Sequence, residues 1–180
     1  MPNITAAPVT HKILSKQRNL LVENTTTETD LWTYTVPANT LGTLNALHVR
    51  IIGSILNSAG TVSFILKWYY GATVLFNDSY ASLTTNAARR PLDFDVVLAG
   101  NNATNAQVFG GNMMLSIPIA ATIGTGDLAT DEQQGLSPIN GVDSAEDSTA
   151  SKVFKLTVTP STASVNAEIL ISQSYTELIQ

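Results

Sequence analysis

The sequence feature that most constrains the fold is an alternation of apolar and polar residues with a period of two. In residues 61–69, for example, Val62, Phe64, Leu66 and Trp68 fall on one face. A β-strand places successive side chains on opposite sides of its sheet, so this alternation is typical of a sheet with one buried face. The same pattern recurs in residues 30–36, 47–56, 91–99, 152–159 and 167–175.

Short turn-forming segments, such as residues 57–60 and 160–162, separate these runs. The pattern amounts to about eight or nine strands, and no segment resembles a helix of normal length. We therefore predict an all-β fold, an antiparallel β-sandwich, and most simply a jelly roll of about eight strands. An immunoglobulin-like sandwich is the alternative, because the sequence alone does not define the strand order.

The N-terminal residues depart from the alternation. They are polar and carry Lys12, Lys16 and Arg18, so we predict an extended N-terminal arm whose cations contact a neighbouring subunit during assembly. A frayed terminus is the alternative interpretation. The expected boundaries are residues 1–18 for the arm and residues 19–180 for a single β-sandwich domain, with a long loop at about residues 121–150.

The composition excludes several kinds of site. There is no cysteine, which removes thiol nucleophiles and disulfides, and there are two histidines, too few for a three-histidine zinc site. Charged residues make up 13% of the chain and the formal net charge is −5, which argues against a general nucleic-acid binder. No stretch has the length and hydrophobicity of a membrane span or a signal peptide. We expect no cofactor, no metal, no nucleic-acid partner and no membrane partner.

Two groups of residues could support chemistry or ligand binding. Asp93 and Asp95 lie two positions apart on one predicted strand, and a pair of carboxylates suits glycan hydrolysis. The solvent face of an amphipathic strand explains them more simply, so we predict no catalytic residue. Trp68, Tyr69 and Tyr70 could stack on a sugar, although alternation separates Tyr69 from the other two, and core packing accounts for most such aromatics.

Several local strings resemble a recurrent type of small bacteriophage structural protein. They are residues 24–31 (NTTTETDL), 34–42 (YTVPANTLG), 57–60 (NSAG), 88–91 (ARRP) and 100–105 (GNNATN). The resemblance extends from residue 24 to residue 115 and consists of strand and turn signatures, so no functional residue is transferred with it. It implies a tailed-phage virion protein with a jelly-roll-like body and a trimeric state. Proteins of this type cement or decorate capsids, or form tail fibres and spikes.

The resemblance and the composition together lead to one expected function. We predict a non-enzymatic virion structural protein, made in the host cytoplasm, that decorates and stabilises the assembled head. Its expected partners are the major capsid protein or other virion proteins, and two further copies of itself in a homotrimer. The alternative is a tail-fibre or spike module that recognises host surface glycan through Trp68, Tyr69 and Tyr70.

Overall fold

The structure is a computed structural model that describes residues 9–83, 85–115 and 135–180. Every regular element among these residues is a β-strand, which confirms the all-β prediction. The strands are β1 (His11–Gln17), β2 (Leu20–Val22), β3 (Thr29–Val36), β4 (Ala46–Asn57), β5 (Val62–Tyr70), β6 (Thr73–Leu83), β7 (Asn86–Ala103), β8 (Ala106–Leu115), β9 (Gly135–Ser144), β10 (Lys152–Pro160) and β11 (Ala167–Ile179).

The strands form two antiparallel sheets around one hydrophobic core. The larger sheet has seven strands in the order β1-β11-β4-β7-β8-β9, with β2 also paired to β11; the smaller sheet has four in the order β3-β10-β5-β6. Four of the pairs are nested along the chain: β5 with β6, β4 with β7, β3 with β10 and β2 with β11. A chain folded as one long hairpin and then rolled into two sheets produces this nesting, which is the predicted jelly roll.

The N-terminal segment differs from the predicted arm. β1 pairs with the C-terminal half of β11 and β2 with its N-terminal half, so together they act as one interrupted outer strand. Asn19 lies between them with a φ of 56°, a left-handed conformation that breaks the strand. Residues 11–17 are therefore ordered within their own chain, whereas residues 1–8 lie outside the described residues. The alternation is weak here because Leu14 alone of the β1 side chains packs as a partly buried apolar group against the core.

The hairpin of β8 and β9 is an addition to the eight-stranded plan, and it extends the larger sheet beyond β7. The prediction of a continuous loop over residues 121–150 is wrong for residues 135–144, which form β9. β9 is an edge strand, where Pro138 is tolerated, and its proline and glycines obscure the alternation in the sequence. The part of the predicted loop from residue 121 to residue 134 lies outside the described residues.

Aromatic side chains from both sheets meet in the core. Trp68 of β5 lies 5.6 Å from Trp32 and 5.0 Å from Phe154, measured between ring centroids. It also contacts Phe94 and Phe109 of the larger sheet, at 5.8 and 5.7 Å. All five side chains are almost completely buried. The aromatic core therefore joins the two sheets, and these aromatic rings are not accessible to a ligand.

Candidate functional site

The three predicted glycan-stacking residues lie on opposite sides of the smaller sheet. Trp68 and Tyr70 are buried in the core, so the prediction of an aromatic platform is wrong. Tyr69 points outward, where its hydroxyl donates to Glu28 at 2.7 Å. The ammonium nitrogen of Lys155 lies 5.4 Å from the centre of the Tyr69 ring, so a sugar stacking there would have to displace it.

The three cations of the predicted arm lie along one edge of the larger sheet. Lys12 and Lys16 are on β1, opposite Leu178 and Tyr175 of β11, and Arg18 follows the strand. All three residues are exposed. Because β1 ends the strand order on this side of the sheet, these three cations form a basic edge strip.

Asp93 and Asp95 both project from the outer face of β7, but each is bound to a different cation of β4. Nη2 of Arg50 lies 2.8 Å from Oδ2 of Asp93, and Nε2 of His48 lies 2.7 Å from Oδ1 of Asp95. Cross-strand pairs of opposite charge stabilise a sheet face. The arrangement agrees with the interpretation of these aspartates as the solvent face of a strand.

A ladder of histidines and carboxylates crosses four strands of this outer face. Nδ1 of His48 lies 2.6 Å from Oε1 of Glu177 on β11, and Oε2 of Glu177 lies 3.5 Å from Nδ1 of His11 on β1. With Asp95, the histidine–carboxylate ladder runs from β1 through β11 and β4 to β7. The hydrogen bond from His48 lowers the pKa of Glu177. Burial acts to lower the pKa of His48, but the hydrogen bonds to Glu177 and Asp95 outweigh it and raise that pKa above its ordinary value of 6.5.

A second polar cluster covers the outer face of the smaller sheet. Glu28 accepts hydrogen bonds from Lys67 and Tyr69, each at 2.7 Å, and from the Thr157 hydroxyl at 2.8 Å. The hydrogen bonds from Lys67 and Tyr69 lower the pKa of Glu28 to about 2 against the opposing effect of burial. Glu28 thus anchors the segment before β3 onto β5 and β10.

Replacing Glu28 with glutamine is expected to destabilise the protein at neutral pH and to have little effect in strong acid. The folded-state pKa of about 2 lies below the ordinary value of 4.5, so the carboxylate contributes stability above pH 4.5 that is lost as the pH falls towards 2. Urea unfolding of the wild type and the variant between about pH 2 and pH 7 measures this. Asp30→Asn, which removes a single 2.7 Å contact with Lys155, is the matched control and is expected to cost less. A stability difference between wild type and Glu28→Gln that stayed constant with pH would contradict the assignment.

The described residues contain no group of three or more histidine, aspartate or glutamate side chains arranged to hold a metal ion. None of these residues belongs to a helix with the length and hydrophobicity of a membrane span.

Comparison with known proteins gives no family assignment. No protein-family model and no curated protein matches the chain. Among solved structures, it is similar to the CBM2 module of the evolved Dit of Lactobacillus casei BL23 phage J-1, with 12% identity, a TM-score of 0.41, and coverage of 98% of this chain and 92% of that one. It is also similar to a chain of the T13 IBDV viral particle, with 11% identity and a TM-score of 0.41, covering 95% of this chain but 30% of that one. TM-scores this low do not establish a shared function.

Proposed function

We propose that this chain is a bacteriophage virion structural protein without enzymatic activity, and that it decorates the outer surface of the assembled capsid. Two observations support the proposal. Residues 24–115 resemble small phage structural proteins, as set out above. The jelly roll also presents two broad outer faces on which polar side chains are bound to one another.

The observation that carries the proposal is that both outer faces contain charges that are paired with one another within the chain. An unpaired charge is costly to bury against a partner, whereas a paired and hydrogen-bonded charge retains its interactions. Charged residues are for this reason depleted at the centres of protein interfaces. These faces are therefore suited to docking on another protein surface. The pairs are Lys67–Glu28 at 2.7 Å, Lys155–Asp30 at 2.7 Å and Arg50–Asp93 at 2.8 Å.

The proposed mechanism is stabilisation by mass action. A protein that binds the assembled head but not free subunits stabilises the assembled state, and the stabilisation grows with the free concentration of the protein relative to its Kd. A homotrimer seated where several copies of the major capsid protein meet would bind through several contacts at once, so dissociation would require all of them to break. The location of the chain under this proposal is the virion.

The basic edge strip is proposed as one of the contacts with the head. Replacing Lys12, Lys16 and Arg18 with glutamine is expected to weaken binding to purified heads about tenfold, since three rim charges at about 0.5 kcal/mol each amount to one factor of ten. The measurement is co-sedimentation of the purified chain with heads that lack it, at several salt concentrations. These substitutions keep β1 in place, whereas deletion of residues 1–18 would remove a strand of the larger sheet.

The matched control keeps the charges: Lys12→Arg, Lys16→Arg and Arg18→Lys together are expected to bind heads like the wild type. Equal affinities of the glutamine and the charge-conserving variants would refute the role of the strip. Saturable binding to heads, with none to tails or to unassembled capsid protein, would support decoration. Binding to tails alone would instead favour the tail-fibre alternative.

A further inference from the structure

His48 is held between two carboxylates. Its Nδ1 lies 2.6 Å from Glu177 and its Nε2 lies 2.7 Å from Asp95. An ionised carboxylate only accepts hydrogen bonds, so both ring nitrogens must carry a hydrogen to make both contacts. The geometry therefore requires the charged imidazolium form of His48.

Three carboxylates lie on the face around His48, so the positive charge of the protonated ring offsets part of their negative charge. From β11 come Glu177 and Tyr175, whose ring meets the His48 ring edge-on at 5.8 Å. From β7 come Asp95 and Asp93, the latter bound to Arg50 of β4. The edge strand β1 contributes His11, at 3.5 Å from Glu177, and the exposed Lys16 opposite Tyr175.

We propose that His48 makes the cohesion of the outer face of β1, β11, β4 and β7 dependent on pH, with the face held most firmly when the imidazole is protonated. Loss of the proton leaves one N–H between two carboxylates. Glu177 or Asp95 then loses a charge-assisted hydrogen bond, and His48 no longer compensates the negative charges of these two carboxylates. His48 thus links β4 directly to β11 and β7, and through Glu177 to β1.

The direction of the effect follows from linkage. The pKa of His48 is raised in the folded state above its unfolded value of 6.5. Its contribution to stability is therefore fully present below pH 6.5 and is lost as the pH rises through the raised folded-state pKa. This dependence is opposite in sign to that of Glu28.

The test combines two readouts on the full chain. NMR titration of the histidine ring signals is expected to give a midpoint for His48 above 6.5, and Glu177→Gln is expected to move this midpoint down. The His11→Gln variant assigns the signals, because it removes the other of the two histidine rings in the sequence. A midpoint at or below 6.5, or one that is unchanged in Glu177→Gln, would overturn the proposal.

The second readout is the melting temperature between about pH 6 and pH 9. The wild type is expected to lose stability relative to His48→Gln as the pH rises, because the glutamine does not titrate. Parallel profiles of the two proteins would overturn the proposal. If His48→Gln does not fold, the NMR midpoints of the wild type and Glu177→Gln decide the question.

Discussion

Replacing Trp68 with alanine is expected to lower the free energy of unfolding by about 3–5 kcal/mol, the range for large aromatic truncations in protein cores. Trp68 is fully buried and touches Trp32 and Phe154 on its own side and Phe94 and Phe109 across the sandwich. Its removal leaves a cavity between the two sheets that rigid β-strands cannot close. Urea unfolding monitored by far-UV circular dichroism measures the loss.

Tyr69→Ala is the matched control, since it truncates the neighbouring aromatic on the outer face of the same strand. It removes one hydrogen bond to Glu28 and the contact with Lys155, and is expected to cost about 1–2 kcal/mol. Equal losses at the two positions would contradict the assignment of Trp68 to the core and would reopen the glycan-binding interpretation. A chain that does not fold at all with Trp68→Ala would agree with the prediction if Trp68→Phe folds with a smaller loss.

Replacing Gly111 with alanine is expected to destabilise the protein by about 3 kcal/mol or more, because overpacking and backbone strain act together there. A Cβ atom at this position would overlap the backbone oxygen of Asp95 and lie 2.7 Å from Cα of Val96. The φ of Gly111 is 150°, a conformation that residues with a Cβ rarely adopt. Rotation of a side chain cannot relieve either problem. The overlapping atoms belong to the backbone of β7, and the unfavourable φ belongs to the backbone of β8.

Gly60→Ala separates the two causes. Gly60 also has a positive φ, 108°, but a Cβ there would meet nothing within 4 Å. Its substitution is therefore expected to cost only the backbone strain, about 1 kcal/mol. Thermal unfolding of both variants measures the difference. A Gly111→Ala protein no less stable than Gly60→Ala would show that β7 and β8 are not as closely paired as the register of Gly111 with Val96 requires.

The sheet-forming segments could be predicted from the sequence because burial of one face imposes a period of two. The alternation in residues 61–69 correctly assigns Trp68 to the core and Tyr69 to the outer face. The prediction failed at the two ends of the larger sheet, β1 and β9, where one neighbouring strand and few core contacts are enough to hold the chain. β1 has Leu14 as its partly buried apolar contact with the core, and β9 contains Pro138.

The histidine–carboxylate ladder could not be predicted from the sequence, for a different reason. His48 and Glu177 are separated by 129 positions, and they meet because β4 and β11 are neighbours in the larger sheet. Strand order depends on the whole topology and not on any local pattern. Alternation does place His48 on the polar face of its strand, and this is the one signal that could have identified it as an outer-face residue.

The position of the chain in intact virions tests the central claim most directly. The proposed function predicts that a cryo-electron microscopy reconstruction of virions will show jelly-roll densities in groups of three on the outer surface of the head, where capsid subunits meet. Mass spectrometry of the same particles is expected to find the chain in many copies. Density confined to the tail, or virions in which the chain is absent, would contradict the account.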